Sequence, residues 1–364
     1  MVFSENVKLI LVASCILALI AFSSIVILSY GEFNQQKCYS VGMAVEFNDH
    51  AAAAWVAYNK SWFNNVGINL TTFESYATGV ALAAAIARGD IQVAWLCVGP
   101  AISAFKRGIN LKIVAMTHEY GYAIVTNLSI IKSVNDLEGK SIGCVREGSM
   151  ADLLLHKTFK IYGINNVTIL RMKPMDQLNA LRSGQIVAAA IPEHYVAIAR
   201  AWGFDILLKS QDIWLHMPGS ALVVKQELID KYPDAVRNLV RLTVNVTHWI
   251  INNRNETAEI LASMLHTNRS VILDSMTRLN YTNNINVTAM QELADFMAEL
   301  GYIDKFNISE MIDLSFLSQV SSSQKEQKTN LSVKDNHFGF ENMFLLTTIL
   351  SCIVTLDKKL CAMA

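Results

Sequence analysis

The 364-residue sequence is poor in cysteine and in charge. Six cysteines are present, and only Cys38, Cys97 and Cys144 lie outside the apolar ends, which excludes a disulfide-framed scaffold. Charged residues make up 17% of the chain with a formal net charge of −1. No basic stripe is present, so no nucleic-acid partner is expected. CxxC, HExxH, GxxxxGK(S/T) and GxSxG motifs are all missing, which removes the common zinc, P-loop and serine-hydrolase chemistries at the motif level. The eight histidines are dispersed. His50, His118 and His194 could meet in the fold, but their spacing is not that of a metal site, and no metal or other cofactor is expected.

Apolar residues are abundant, at 52%, and the ends of the chain carry much of that excess. The run from Val7 to Leu28 holds one charge and would reach roughly 33 Å as a helix, enough for a bilayer. Residues 1–30 therefore read as a signal peptide or a membrane anchor, and Lys8 at the start of the run places the remainder outside the cytoplasm. At the other end, residues 321–341 read as a flexible linker, and residues 343–356 as an apolar tail and candidate anchor, short of a full span. Composition alone would give roughly three or four Asn-x-Ser/Thr triplets. There are eleven, at Asn59, Asn69, Asn127, Asn166, Asn245, Asn255, Asn268, Asn280, Asn286, Asn307 and Asn330. That excess points to a glycosylated, extracytoplasmic surface.

Between Tyr39 and Val224, short apolar runs alternate with Ala/Leu-rich stretches, the pattern of parallel strands joined by crossover helices. Strands are expected at 40–45, 69–73, 92–96, 112–116, 140–145, 168–170, 186–191 and 204–208. Helices end on Gly89, Gly108, Gly163, Gly184 and Gly203, in the manner of left-handed carboxyl caps. After Lys225 helices dominate, at 233–253, 257–265, 270–276 and 288–300. The fold class is thus α/β, with two α/β blocks and two chain crossings between them. The first lobe is expected over 39–126 and 221–319, the second over 127–220. Each would have its own core, with hinges near 122–126 and 219–222 and a cleft between the lobes.

Ligands of open α/β sheets gather at the carboxyl ends of the strands, where helix amino termini supply oriented N–H donors. The loops there nominate Asn48, Asp49 and His50; Tyr76, Thr78 and Gly79; and Val98 and Gly99, beside a Cys97 read as a buried structural thiol. His118, Glu119 and Tyr120 form a polar and aromatic group beside the first hinge. The second lobe adds Gly148, Ser149 and Met150, then Pro192, Glu193 and His194. Singly each is ordinary capping, and their repetition on both sides of one cleft is the signal.

The order of motifs resembles the solute-binding proteins of ABC importers for nitrate, sulfonates, taurine and thiamine-pyrimidine precursors. The matching residues are Trp55-Val56-Ala57 through Trp62-Phe63 and Gly67, Gly89-Asp90-Ile91-Gln92-Val93-Ala94 and Gly99-Pro100. Asp136-Leu137-Glu138-Gly139-Lys140-Ser141-Ile142-Gly143, Gly148-Ser149 and Ala180-Leu181-Arg182-Ser183-Gly184 complete the set. Lys60 and Ile191-Pro192-Glu193-His194 depart from the pattern, the latter in a ligand-facing loop. The resemblance covers about Tyr39 to Leu317 and implies a two-lobed type II periplasmic-binding-protein-like fold without catalysis. It also implies a monomeric receptor, attached to the cell membrane through its N-terminal segment, that takes a small anion by lobe closure and docks on an ABC permease and its ATPase. The sulfonate, nitrate or taurine-like anion is the first expectation; a thiamine-pyrimidine-like heterocycle, or a ligand-sensing domain of an anchored surface protein, is the alternative. A related fungal thiamine-pyrimidine synthase carries a cysteine-rich motif that this sequence lacks.

Overall fold

The computed structural model describes residues 37–322. The apolar run 7–28, the tail 343–356 and all but the first two residues of the 321–341 tract lie outside the described residues, as do Cys15 and Asn330. Among the described residues no helix is long and apolar enough to cross a membrane.

Eleven strands form two sheets. The first contains β1 (Tyr39–Glu46), β2 (Ile68–Tyr76), β3 (Val93–Cys97), β4 (Leu111–Tyr120), β10 (Pro218–Lys225) and β11 (Leu279–Tyr281), in the order β11-β4-β10-β3-β1-β2. The second contains β5 (Tyr122–Thr126), β6 (Ser141–Cys144), β7 (Thr168–Arg171), β8 (Ala188–Pro192) and β9 (Asp205–Lys209), in the order β7-β6-β8-β5-β9. β1 runs parallel to β3, and β6 runs parallel to both β7 and β8. Eight of these, β1–β4 and β6–β9, are the strands expected from apolar runs, while β5, β10 and β11 were not expected; the five expected glycine caps all adopt positive φ. The carboxyl-terminal helices also lie where expected, the longest spanning Pro233–Asn252 and burying Leu239, Leu242, Val246 and Ile250.

The crossings differ from expectation. Residues 122–126, expected as a hinge of the first lobe, form β5 and pair antiparallel with β8 and β9 in the second sheet. Residues 218–225 form β10, which inserts antiparallel between β3 and β4 of the first sheet. Both sheets are therefore mixed rather than parallel. A chain passing through the middle of a protein must satisfy its backbone N–H and C=O groups, and joining the sheets does so. The true passages are Tyr120-Gly121, where φ is +65° and +88°, and the turn 214–217. They touch: the Tyr120 N–H donates to the Met217 carbonyl at 2.9 Å.

Separate cores are not found either. One buried apolar cluster runs from Ile113 and Ala221 in the first sheet to Ile124, Ile142 and Ala188 in the second. A smaller cluster, including Val125, Leu178, Leu181 and Ile191, belongs to the second sheet alone. Across residues 40–322 the two sheets belong to one unit and are not separated. Between them Arg278 bonds Glu193 and Asp274, Arg200 pairs with Asp274, and the Tyr302 hydroxyl donates to Asp152 at 2.8 Å.

Candidate functional site

Four helices start near the carboxyl ends of strands from both sheets: α3 (Gly79–Ile86), α4 (Val98–Lys106), α5 (Met150–Tyr162) and α6 (Pro174–Arg182). The Thr78 hydroxyl accepts from the Ala81 N–H at 3.2 Å, and the Ser149 hydroxyl accepts from the Asp152 N–H at 3.2 Å. Each cap uses one donor of its helix and leaves others free. Where these ends converge lies a small cavity of about 30 Å³, room for one or two water-sized groups. Asn48, Thr78, Gly79 and Pro100 wall it from the first sheet, and Ser149, Met150, Pro174 and Pro192 from the second. Across its floor the Gly99 N–H donates to Met150 Sδ at 3.2 Å, and a Cβ on Gly99 would lie 2.8 Å from the Gly148 carbonyl oxygen.

The charged group in the wall is Glu46, the last residue of β1. Its Oε1 accepts from the Cys97 N–H at 2.8 Å, and its Oε2 accepts from Asn48 Nδ2 at 3.0 Å and from Cys97 Sγ at 3.1 Å. Cys97 Sγ lies 2.7 Å from Tyr122 Oη and 3.2 Å from Ser220 Oγ. Burial pushes the Glu46 carboxyl up, and its three donors oppose that shift. Burial, reinforced by Glu46, pushes the Cys97 thiol up, so it stays neutral. Glu46, Cys97 as a cavity-wall residue, Tyr122 and Ser220 were not read from the sequence as site residues. The available signal was a lone acid ending an otherwise apolar central strand, one residue before the loop.

Several nominated residues lie outside this cavity. Asp49 is fully buried and accepts from the Ser275 hydroxyl, and its Oδ1 is 3.7 Å from His194 Nδ1. His50 Nε2 donates to the Gly121 carbonyl at 2.9 Å, and its Nδ1 lies 3.3 Å from Tyr122 Oη. The His50 and His118 rings meet at 4.4 Å, and His194 packs on Tyr195. Burial drives these imidazoles towards the neutral form, His118 down to about 4 and His194 to about 3. Among the described residues no group of three or more His, Cys, Asp or Glu side chains is arranged to hold a metal. Glu119 and Tyr120, expected in a ligand loop, belong to β4 at the passage; Glu119 accepts from Asn280 Nδ2 at 2.8 Å. Glu193 is taken up by Arg278. Val98, Gly99 and Gly148 support the floor rather than line the cavity, and Tyr76 lines a neighbouring one. The polar side chains of these loops turn inward to join sheets and helices, so their solvent-facing appearance in sequence was misleading.

Residues 35–266 match the model of the NMT1-like family. The chain belongs to that family. A Bacillus subtilis protein named for binding aliphatic sulfonates is 25% identical over 278 residues, covering 72% of this chain and 83% of that protein. Among solved structures, the ligand-binding component of an ABC-type import system of Staphylococcus aureus is similar with a TM-score of 0.70 and 19% identity, covering 77% of this chain and 98% of that one. The periplasmic aliphatic sulphonate binding protein of Escherichia coli gives a TM-score of 0.66 and 19% identity, with coverages of 75% and 97%. The fold is thus the two-lobed α/β periplasmic-binding-protein fold that the sequence implied.

Proposed function

We propose that the chain is the extracytoplasmic solute-binding component of an ABC importer, and that it captures a small organic solute with an anionic group of the sulfonate type by lobe closure. The observation that carries this reading is the small cavity walled by helix starts from both sheets, in a chain of the NMT1-like family. Oriented N–H groups at those helix starts suit an oxyanion, and a ligand that touches both sheets favours the closed form. In this reading a permease and its ATPase are the partners, and no catalytic step is needed.

The amino-terminal apolar run is proposed to direct the chain to the outer face of the membrane, as a signal peptide, or to hold it there as an anchor. Among the ten described sequon asparagines, nine are exposed and Asn127 is half-buried. This placement suits glycosylation. The lobes are proposed to divide at Gly121 and 214–217.

Thermal-shift measurement of the full chain with sulfonates, taurine, nitrate and thiamine pyrimidines tests the reading. A ligand at 100 times its dissociation constant adds about 2.7 kcal/mol to stability. A clear rise in melting temperature with at least one of these solutes is expected; no shift with any of them would overturn the proposal.

A further inference from the structure

The inner cavity carries a charge that a receptor for a bare anion would not place there. Its wall contains one acid, Glu46, and no lysine, arginine or histidine. The acid is also fixed where an anionic ligand group would otherwise sit. Its Oε1 lies 2.2 Å from the Cβ that Gly79 lacks, so the first residue of α3 has to be glycine for the carboxylate to rest against that helix start. The same oxygen takes the Cys97 N–H at the start of α4. The chain's own carboxylate thus takes one helix-start donor, the Cys97 N–H, that would otherwise be open to an incoming oxyanion. An ionised carboxylate offers about four acceptor sites. Asn48, the Cys97 N–H and the Cys97 thiol fill three of them, leaving one for a donor from the cavity.

The charge reverses on the way out. A larger cavity of about 720 Å³ shares Ala77, Thr78 and Val145 with the inner one. Its wall includes Arg107, Arg146, Arg171 and Lys173 and no acid. Arg171 is held by Asp152 at 2.6 Å. The side chains of Arg107, Arg146 and Lys173 are exposed and make no ion pair among the described residues. From outside inward, a solute therefore meets a basic mouth and then a single acid.

We infer that Glu46 is a specificity-determining residue that selects a two-ended solute, with a protonated amine or amidine directed inward to the Glu46 carboxylate and an anionic group left at the basic mouth. The inference rests on the solute-capture reading above and narrows its ligand class. A bare oxyanion such as nitrate is attracted to the mouth and repelled from the inner cavity by the Glu46 carboxylate. A zwitterion satisfies both ends at once.

The test compares solutes that differ only at the inner end. Calorimetric titration of the full chain is made with taurine against isethionate, with 2-aminoethyl phosphate against ethyl phosphate, and with nitrate. At least one amine member should bind, with its partner weaker by roughly tenfold or more, the scale of one charged hydrogen bond. In Glu46→Gln the amine and non-amine members should converge to within about threefold, the charge having been removed while an acceptor for the Cys97 N–H is kept. Gly79→Ala, which retains the charge but displaces the carboxylate, should weaken the amine member as well. Melting curves of both variants establish that they fold. Binding of isethionate, ethyl phosphate or nitrate as tightly as the amine members, or an amine preference that persists in Glu46→Gln, would overturn the role of Glu46 while leaving solute capture standing. No binding by any member of either set would overturn both.

Discussion

Two buried polar clusters meet at Tyr122, and they differ in how completely their groups are satisfied. On the cavity side, Glu46, Asn48, Cys97 and Ser220 bond one another, and Glu46 keeps one acceptor site to spare. Behind it, Asp49, His50, His118 and His194 pack around the passage between the sheets. There Asp49 Oδ1, His118 Nε2 and His194 Nδ1 have no hydrogen-bond partner. Tyr122 touches both clusters, through Cys97 on one side and His50 on the other. The difference separates recognition from architecture. A pre-paired acid facing a cavity can exchange a partner with a ligand, whereas buried, underbonded imidazoles are held neutral by packing and report on whether the passage stays closed to water.

The largest effect that would break this division is at the passage itself. In Gly121→Ala the new Cβ would lie 2.6 Å from Leu279 Cδ2 and 2.9 Å from His50 Nε2, on a backbone already at φ +88°. Strain and overpacking together should remove about 2–4 kcal/mol of stability in urea unfolding. The same change at Gly163, where φ is +69° and nothing lies within 4 Å of the new atom, should cost about 1 kcal/mol. Equal losses at the two sites would deny the passage its special packing.

Acid sharpens the comparison next. Burial depresses His50, His118 and His194, so each contributes stability that is complete above an unfolded pKa near 6.5 and is lost as pH falls towards its folded value. Asp49, raised by burial to about 6, and Glu193, raised by burial to about 8, act in the opposite sense; their contributions are present at low pH and lost as pH rises through those values. Glu46, also raised by burial, joins the two acids, so three histidines and three acids offset one another over much of the range between pH 7 and pH 5. His118→Gln should remove about one proton from the slope near pH 5, measured as the pH dependence of the urea midpoint. An unchanged slope would mean His118 is not buried neutral.

Most of the strand framework was legible because buried parallel strands read as continuous apolar runs bounded by glycine caps. The connectors were not legible. Residues 218–225 read Pro-Gly-Ser before a short Ala-Leu-Val-Val run, and nothing in so short a run tells its direction or its neighbours. Asn48, Thr78, Gly79, Ser149, Met150 and Pro192, nominated from the sequence, line the cavity, since helix starts are marked by caps and small residues. His118, Glu119 and Glu193 were misplaced because polarity shows that a side chain needs partners and does not show whether those partners are ligand or protein. Glu46 was missed because the loops were read from Phe47 onward.

A smaller effect separates surface contacts between the two sheet regions from buried ones. Lys160 reaches Glu299 at 2.5 Å with both side chains about half exposed, so Lys160→Ala should cost under about 0.5 kcal/mol. Arg278, largely buried against Glu193 and Asp274, should cost several times more when replaced by Met. Melting temperatures of the two variants measured together check the ratio, and parity would mean that the Arg278 contacts are solvated in solution.

Hydrogen exchange read by mass spectrometry on the full chain, with and without the solute that stabilises it most, tests the central claim most directly. Capture between the sheets predicts that peptides covering 46–48, 78–81 and 97–99 slow together with those covering 148–152 and 191–193, two groups that the first and second sheets supply separately. Slowing confined to one group, or exchange unchanged in both while the solute is bound, would contradict a ligand held by both lobes.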